Sequence, residues 1–234
     1  MNLAEWELDR LETVAGGLAP LQERVVFLGG SVVGLLLTDP ASPPARPTRD
    51  VDVLVEAITY AHFASVENRL RSLGFEHDQS AGAPICRWLI GSTKVDVMPS
   101  DASVLGFSNR WYPEVLRSAF PCLLKPNVQI EVVSPSCFLA TKLEAFGSRG
   151  HGDYLSSADV EDVVVLVDGR AEIVDDVGAS TPEIRGFLAS ECTKLLSSPA
   201  FLEALPGHLQ GDEASQARAG LVLERLAQIS ISRG

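Results

Sequence analysis

The four cysteines of this 234-residue chain, Cys86, Cys122, Cys137 and Cys192, are scattered and form no C-x-x-C pair. Their spacing excludes a disulfide-dense scaffold and leads one to expect free thiols in a reducing cytoplasm. Basic residues are also scarce: 19 Lys and Arg stand against 31 Asp and Glu, for a net charge of −12. Such a surface repels polyanions, which excludes a broad DNA-binding surface and leaves room only for a local basic pocket or a metal-bridged phosphate. Long apolar runs are missing too. The longest, Val25 to Leu37, is interrupted by Gly29-Gly30-Ser31 and is too short to span a bilayer. The first residues carry Glu5, Glu7, Asp9 and Glu12 where a signal peptide has basic residues. A soluble cytoplasmic protein without a membrane segment is therefore expected. His62, His77, His151 and His208 show no metal-ligand spacing and read as ordinary surface residues.

What is present is an ordinary globular composition, 46% hydrophobic and 21% charged, enough for one large domain or two smaller ones. The spacing of Leu3, Trp6, Leu11 and Val14 predicts an amphipathic helix ending at the Gly16-Gly17 break. Strands are expected over 24–28, 50–56, 85–90, 94–98 and 128–133, with Gly91-Ser92 as the turn between the third and fourth. A helix should follow the glycines over 31–37. The loop over 39–48 is fixed by Pro40, Pro43, Pro44 and Pro47. A helix around Phe63, Val66 and Leu70 should stop at Gly74. From Ser134 the pattern is helical: 135–146, 158–167, 181–196 and a last stretch around Ala217 to Leu226. Trp88 and Trp111 read as core. A strand-rich part followed by a helical part predicts an α+β fold, with a strand subdomain over 1–133 and a helical subdomain over 134–234 closing a cleft.

The chemistry concentrates in Arg24 to Glu56. In Asp50-Val51-Asp52-Val53-Leu54-Val55 the two carboxylates share one face of a period-two strand. Asp96 lies on one face of a later strand with Lys94 and Met98, and is expected at a sheet edge. Carboxylates held together repel, so a cation should sit among them, and for all-oxygen ligands Mg²⁺ is the usual one. Glycines before a helix start let a phosphate approach the backbone, and the Ser31 hydroxyl can add a bond. Taken singly, a Gly-Gly-Ser triplet is more often a turn, and an isolated D-x-D suits the solvated face of an edge strand. Their order along the chain is what favours a joint site.

Gly29-Gly30-Ser31, Arg46, Thr48, Asp50-Val51-Asp52 and Asp96 resemble the signature of the nucleotidyltransferase superfamily with the polymerase-beta-like palm. Ala140-Thr141-Lys142-Leu143-Glu144-Ala145-Phe146, with Arg149, Asp159 and Asp162, is similar to the AbiEii-type branch, which includes toxins of type IV toxin–antitoxin systems. The resemblance spans roughly residues 24 to 168. It implies a palm of mixed twisted sheet with flanking helices, followed by a helical C-terminal subdomain. It implies two Mg²⁺ ions on Asp50, Asp52 and Asp96, with Asp96 as the base. Nucleotide binding would fall to Gly29, Gly30, Ser31, Arg46, Thr48, Lys142, Arg149, Asp159 and Asp162, Lys142 also stabilising the leaving pyrophosphate. The implied partners are a nucleoside triphosphate, an acceptor that is an RNA end, a protein or a small molecule, and a cognate antitoxin. Two other readings stand beside it: transfer to an aminoglycoside-type small molecule, and a nucleotide-sensing or partner-binding module without catalysis. The usual Lys-Asp-x-x-Asp element appears here as Ala158-Asp159-Val160-Glu161-Asp162, without its lysine. Asp159 and Asp162 also have a sufficient explanation in the helix dipole, and Lys142 in pairing with a neighbouring carboxylate.

Overall fold

The computed structural model describes residues 3–106, 108–150 and 152–232. His151 lies outside the described residues. In chain order the main elements are α1 (Glu5–Leu18), β1 (Val25–Leu28), a 3₁₀ turn (Gly30–Val32), α2 (Val33–Leu36), β2 (Asp50–Val55), α3 (Tyr60–Ser72), β3 (Glu76–His77), β4 (Arg87–Ile90) and β5 (Thr93–Pro99). They continue with α4 (Ala102–Leu105), α5 (Tyr112–Ser118), β6 (Phe120–Lys125), β7 (Val128–Val132), α6 (Pro135–Arg149), α7 (Ala158–Gly169), α8 (Ile173–Gly178), α9 (Pro182–Ser197), α10 (Pro199–Ala204), α11 (Glu213–Ala217) and α12 (Ala219–Ile231). The fold is α+β, with one mixed sheet of seven strands and flanking helices.

The strand order is β3-β4-β5-β2-β1-β7-β6, so β2 is the central strand. It runs antiparallel to β1 and parallel to β5. Val51, Val53, Val95 and Val97 are fully buried on one face of β2 and β5, which leaves the alternate positions for polar side chains. Neither Asp50 nor Asp96 lies at a sheet edge: β5 has β4 on its other side. The solvated edge-strand explanation for the D-x-D pair therefore fails. Strand order depends on long-range pairing that local periodicity does not encode.

Gly16-Gly17 does not break α1. A Cβ on Gly17 would come within 2.5 Å of the Ile90 side chain and 3.0 Å of Phe75, so this glycine serves close packing of the helix end. β6 carries Pro121, which conceals it as a strand; it is an outer strand of the sheet, where a missing N–H is tolerated. Trp88 is fully buried as expected, whereas Trp111 is only half-buried, with the Arg110 guanidinium 4.9 Å from its ring centroid.

The chain divides into two compact units. One holds Leu3–Val32 and Arg46–Ser134; the other holds Val33–Ala45 together with the chain from Pro135 onward. The sequence division at 133/134 does not anticipate that Val33–Ala45 groups with the helices. Its bonds explain the grouping. Thr38 and Asp39 donate their backbone N–H groups to the Gly169 carbonyl, Arg170 Nη1 donates to Leu36 O, and Arg218 donates to Asp39 Oδ2 at 2.7 Å.

Arg218 also donates to Asp168 Oδ1 at 2.7 Å, and the Asp168 residue is only 2% exposed. Burial pushes the Asp168 carboxyl above its ordinary value even though the Arg218 bond pulls it down. Arg218→Ala leaves that carboxylate buried without its guanidinium and is expected to cost about 3 kcal/mol at neutral pH, measured by urea unfolding. The sign with pH follows. Without Arg218 the folded pKa of Asp168 rises further above the unfolded one, so the penalty is full above the folded value. It shrinks as acidification protonates the folded carboxyl, and vanishes below the unfolded pKa.

Candidate functional site

The site is built at β1, β2, β4 and β5, all in one unit. Parallel pairing sets Asp50 opposite Lys94 and Asp52 opposite Asp96, so the three carboxylates share one face of the sheet. β1 ends with Leu28 opposite Asp52. Gly29 then turns the chain at φ 73°, and a Cβ there would lie 1.9 Å from Asp52 Oδ2. Only a residue without a side chain allows the backbone to pass this close to the carboxylate. The following 3₁₀ turn carries Ser31, 7% exposed, whose Oγ is buried and has no hydrogen-bond partner among the described residues. An unpaired buried hydroxyl is costly and points to a missing partner.

The cation among the carboxylates is Arg87, a residue not among the sequence candidates. Its Nε donates to Asp96 Oδ1 at 2.7 Å, and its Nη2 donates to Asp96 Oδ2 at 2.7 Å and to Asp50 Oδ2 at 2.6 Å. The bond to Asp96 raises the guanidinium pKa above its ordinary value, with Asp50 adding a smaller effect. The sequence held a signal for it. If Gly91-Ser92 is a two-residue turn, Ile90 closes the hairpin against Thr93, and counting back sets Arg87 against Asp96, the register observed.

Three carboxylates have the donor chemistry of a hard divalent ion, but in this arrangement they do not fit Mg²⁺. Arg87 holds both oxygens of Asp96 and one of Asp50. Among the described residues no group of three or more His, Cys, Asp or Glu side chains is arranged to hold a metal ion.

The remaining sequence candidates are distributed as follows. The Thr48 hydroxyl donates to Asp50 O at 3.4 Å, and the Thr48 carbonyl accepts from Arg10 Nη1, so Thr48 shapes the entry to β2. Arg46 is half-buried in the same unit. Lys142, Arg149, Asp159 and Asp162 belong to the helical unit and converge on one another. Lys142 Nζ lies 3.2 Å from Asp159 Oδ1 and 2.7 Å from Asp162 Oδ2, and Arg149 grips Asp159 through Nε and Nη2. Lys142 and Arg149, two turns apart on α6, thus both contact Asp159 of α7. His62 lies 3.5 Å from Glu23, His77 packs edge-on against Trp88, and His208 Nε2 bonds Tyr154 O.

At the N-terminal ends of β2 and β5 lies a cavity of about 590 Å³ lined by Trp6, Arg10, Pro47, Thr48, Arg49, Ser92 and Thr93. Its charged lining is two arginines, a local exception in a chain of net charge −12.

Beside Arg87, Cys86 is buried, and burial, with a smaller effect of the Asp96 charge, pushes its thiol up to about 12. Burial likewise pushes Cys192 up to about 12, whereas Cys122 is half-buried and raised less. Native protein treated with a thiol-specific disulfide reagent in mildly alkaline buffer should react first at Cys122, with Cys86 and Cys192 reacting only on unfolding. Peptide mapping of the labelled protein checks this.

No helix among the described residues is long and apolar enough to cross a membrane. No protein-family profile matches the chain, and no curated protein matches it. Among solved structures it is similar to an antigenic nucleotidyltransferase-like protein from Paracoccidioides brasiliensis, at 22% identity and a TM-score of 0.49 over 88% of this chain and 94% of that one. It is similar to the antibiotic-resistance factor ANT(2'')-Ia, at 9% identity and a TM-score of 0.49 over 83% of this chain and 96% of that one. JHP933 from Helicobacter pylori aligns at 10% identity and a TM-score of 0.51, over 97% of this chain and 93% of that one. At these identities the likeness is one of fold, and with JHP933 it extends over nearly the whole chain.

Proposed function

We propose that the chain is a nucleotidyltransferase that moves a nucleoside monophosphate from a nucleoside triphosphate to an acceptor hydroxyl. The observation that carries this reading is the buried Ser31 hydroxyl, without a partner among the described residues and two residues beyond a glycine pressed against Asp52. A phosphate oxygen brought to Ser31 accepts that hydrogen bond and meets backbone at Gly30. The acceptor oxygen attacks the α-phosphorus, a new P–O bond forms, and the bond from the α-phosphorus to the bridging oxygen breaks. Pyrophosphate leaves with the bonding pair. The acceptor proton passes to Asp96, whose oxygens each keep a lone pair beyond the bond to Arg87.

For the acceptor, the arginine-lined cavity favours an anionic molecule, and we extend the proposal to an RNA end. An aminoglycoside-type acceptor is cationic and needs an acidic pocket, whereas Arg10 and Arg49 line this one. The toxin reading from the AbiEii resemblance adds a cognate antitoxin as partner. A sensing module without catalysis would bind triphosphate and release no pyrophosphate.

The test is to incubate the protein with each α-labelled nucleoside triphosphate and total RNA, lysate protein or an aminoglycoside. Label in RNA is the expected result. Label in protein or drug overturns the acceptor assignment, and no label in any pool overturns the transferase.

A further inference from the structure

Trp6 departs from the pattern of its own helix. Leu11, Val14 and Leu18 of α1 are buried, whereas Trp6 is 46% exposed and lines the cavity at the N-terminal ends of β2 and β5. One helical turn on, the Arg10 guanidinium lies over the Trp6 ring, 5.6 Å from its centroid. Arg10 Nη1 donates to the Thr48 carbonyl, which ties the side chain to the segment entering β2. Its Nη2 is buried with no hydrogen-bond partner among the described residues, so one donor is left over. Arg49 is exposed in the same lining.

No Asp or Glu is among the described residues that line this cavity, and two carboxylates near Trp6 and Arg10 on α1 are engaged elsewhere. Glu7 accepts from the Ala4 N–H, and Asp9 accepts from Lys125 Nζ. At about 590 Å³ the space falls within the range of pockets that take a small ligand. A lone exposed aromatic side chain is ordinary surface. Set in a concave lining with two arginines, it matches a nucleotide unit, whose base stacks on the ring while its phosphate takes the guanidinium N–H groups.

We infer that the cavity takes an unpaired nucleotide near the end of a single-stranded RNA, the base stacked on Trp6 and the backbone phosphates on Arg10 and Arg49. In a duplex the faces of a base are covered by its stacked neighbours, so only an unpaired base can be laid on an aromatic ring. Trp6 is thus the residue that selects unpaired ends. The inference rests on the RNA-acceptor reading.

The test follows the fluorescence anisotropy of a short fluorescein-labelled single-stranded RNA on the full chain, without triphosphate, against a blunt-ended RNA hairpin of the same composition. The hairpin should bind about tenfold more weakly than the strand, the worth of one base stacked on an aromatic ring. Trp6→Ala should cost the strand about tenfold and the hairpin nothing, with the salt dependence unchanged, and Trp6→Phe, which keeps a ring, should cost less. Arg49→Gln should weaken both RNAs and lower the salt slope by about one phosphate contact. Both side chains are exposed, so these variants keep the fold. A free nucleoside monophosphate should displace the strand only at large excess.

Equal binding of strand and hairpin, or no loss with Trp6→Ala, overturns the inference. A monophosphate that competes as well as the strand also overturns it, since the cavity is then a site for free nucleotide. If Trp6→Ala weakens strand binding and no RNA takes up label from triphosphate, the transferase reading falls alone. If RNA takes up label while Trp6→Ala binds the strand as the unsubstituted protein does, this inference falls alone.

Discussion

Asp52→Asn is expected to lower nucleotidyl transfer about 10³-fold, the loss typical when one preorganised polar group of a reacting site is removed. The same change keeps the size and shape of the side chain on the central strand, opposite Asp96, and should move the unfolding midpoint far less than it moves transfer. Asp96→Asn provides the contrast: it removes an acceptor from the Arg87 fork and should lower both transfer and stability, by about 2 kcal/mol. Labelled transfer and urea unfolding on the two variants separate the roles. Undiminished transfer by Asp52→Asn would remove the site from consideration.

Gly29→Ala is the second large effect. The added methyl meets Asp52 Oδ2 at 1.9 Å and Cγ at 2.7 Å, at a φ of 73° that side chains disfavour. The left-handed backbone costs an alanine about 1 kcal/mol, before any displacement of Asp52. Displacing a reacting group by about an ångström is worth roughly 100-fold in rate, so transfer should fall by that order. The clash has a named partner, which gives the prediction a second edge. In an Asp52→Ala background the Oδ2 and Cγ contacts are gone while the Cβ contact, at 2.9 Å, stays, and Gly29→Ala should destabilise that protein less than the unsubstituted one. A double-mutant cycle by urea unfolding reads the coupling directly; strict additivity would place the strain elsewhere.

Much of the site could be read from the chain because its signals are local. Alternation in 50–55 placed Asp50 and Asp52 on one face, and the valines between them are buried as a period-two pattern requires. Arg87 is not legible from local pattern, because clustered carboxylates read as a metal set; its signal lies in the two-residue turn at Gly91-Ser92, whose register sets it against Asp96. The central place of β2 is a property of long-range pairing, and nothing within 50–55 reports it. Gly16-Gly17 misled for a related reason: whether a glycine ends a helix or admits a neighbour depends on what packs there, and here that is Phe75 and Ile90.

The return of Val33–Ala45 to the helical unit bears on how the chain assembles during synthesis. Val33, Leu36 and Leu37 are buried, and their covering partners around Gly169 and Arg170 emerge from the ribosome more than a hundred residues later. Through that interval the nascent strand-rich unit carries this apolar stretch without those partners, shortly after the glycine turn. The four prolines that follow stiffen this stretch, and a stiff, proline-broken segment is a poor template for pairing with other unfinished chains while it waits.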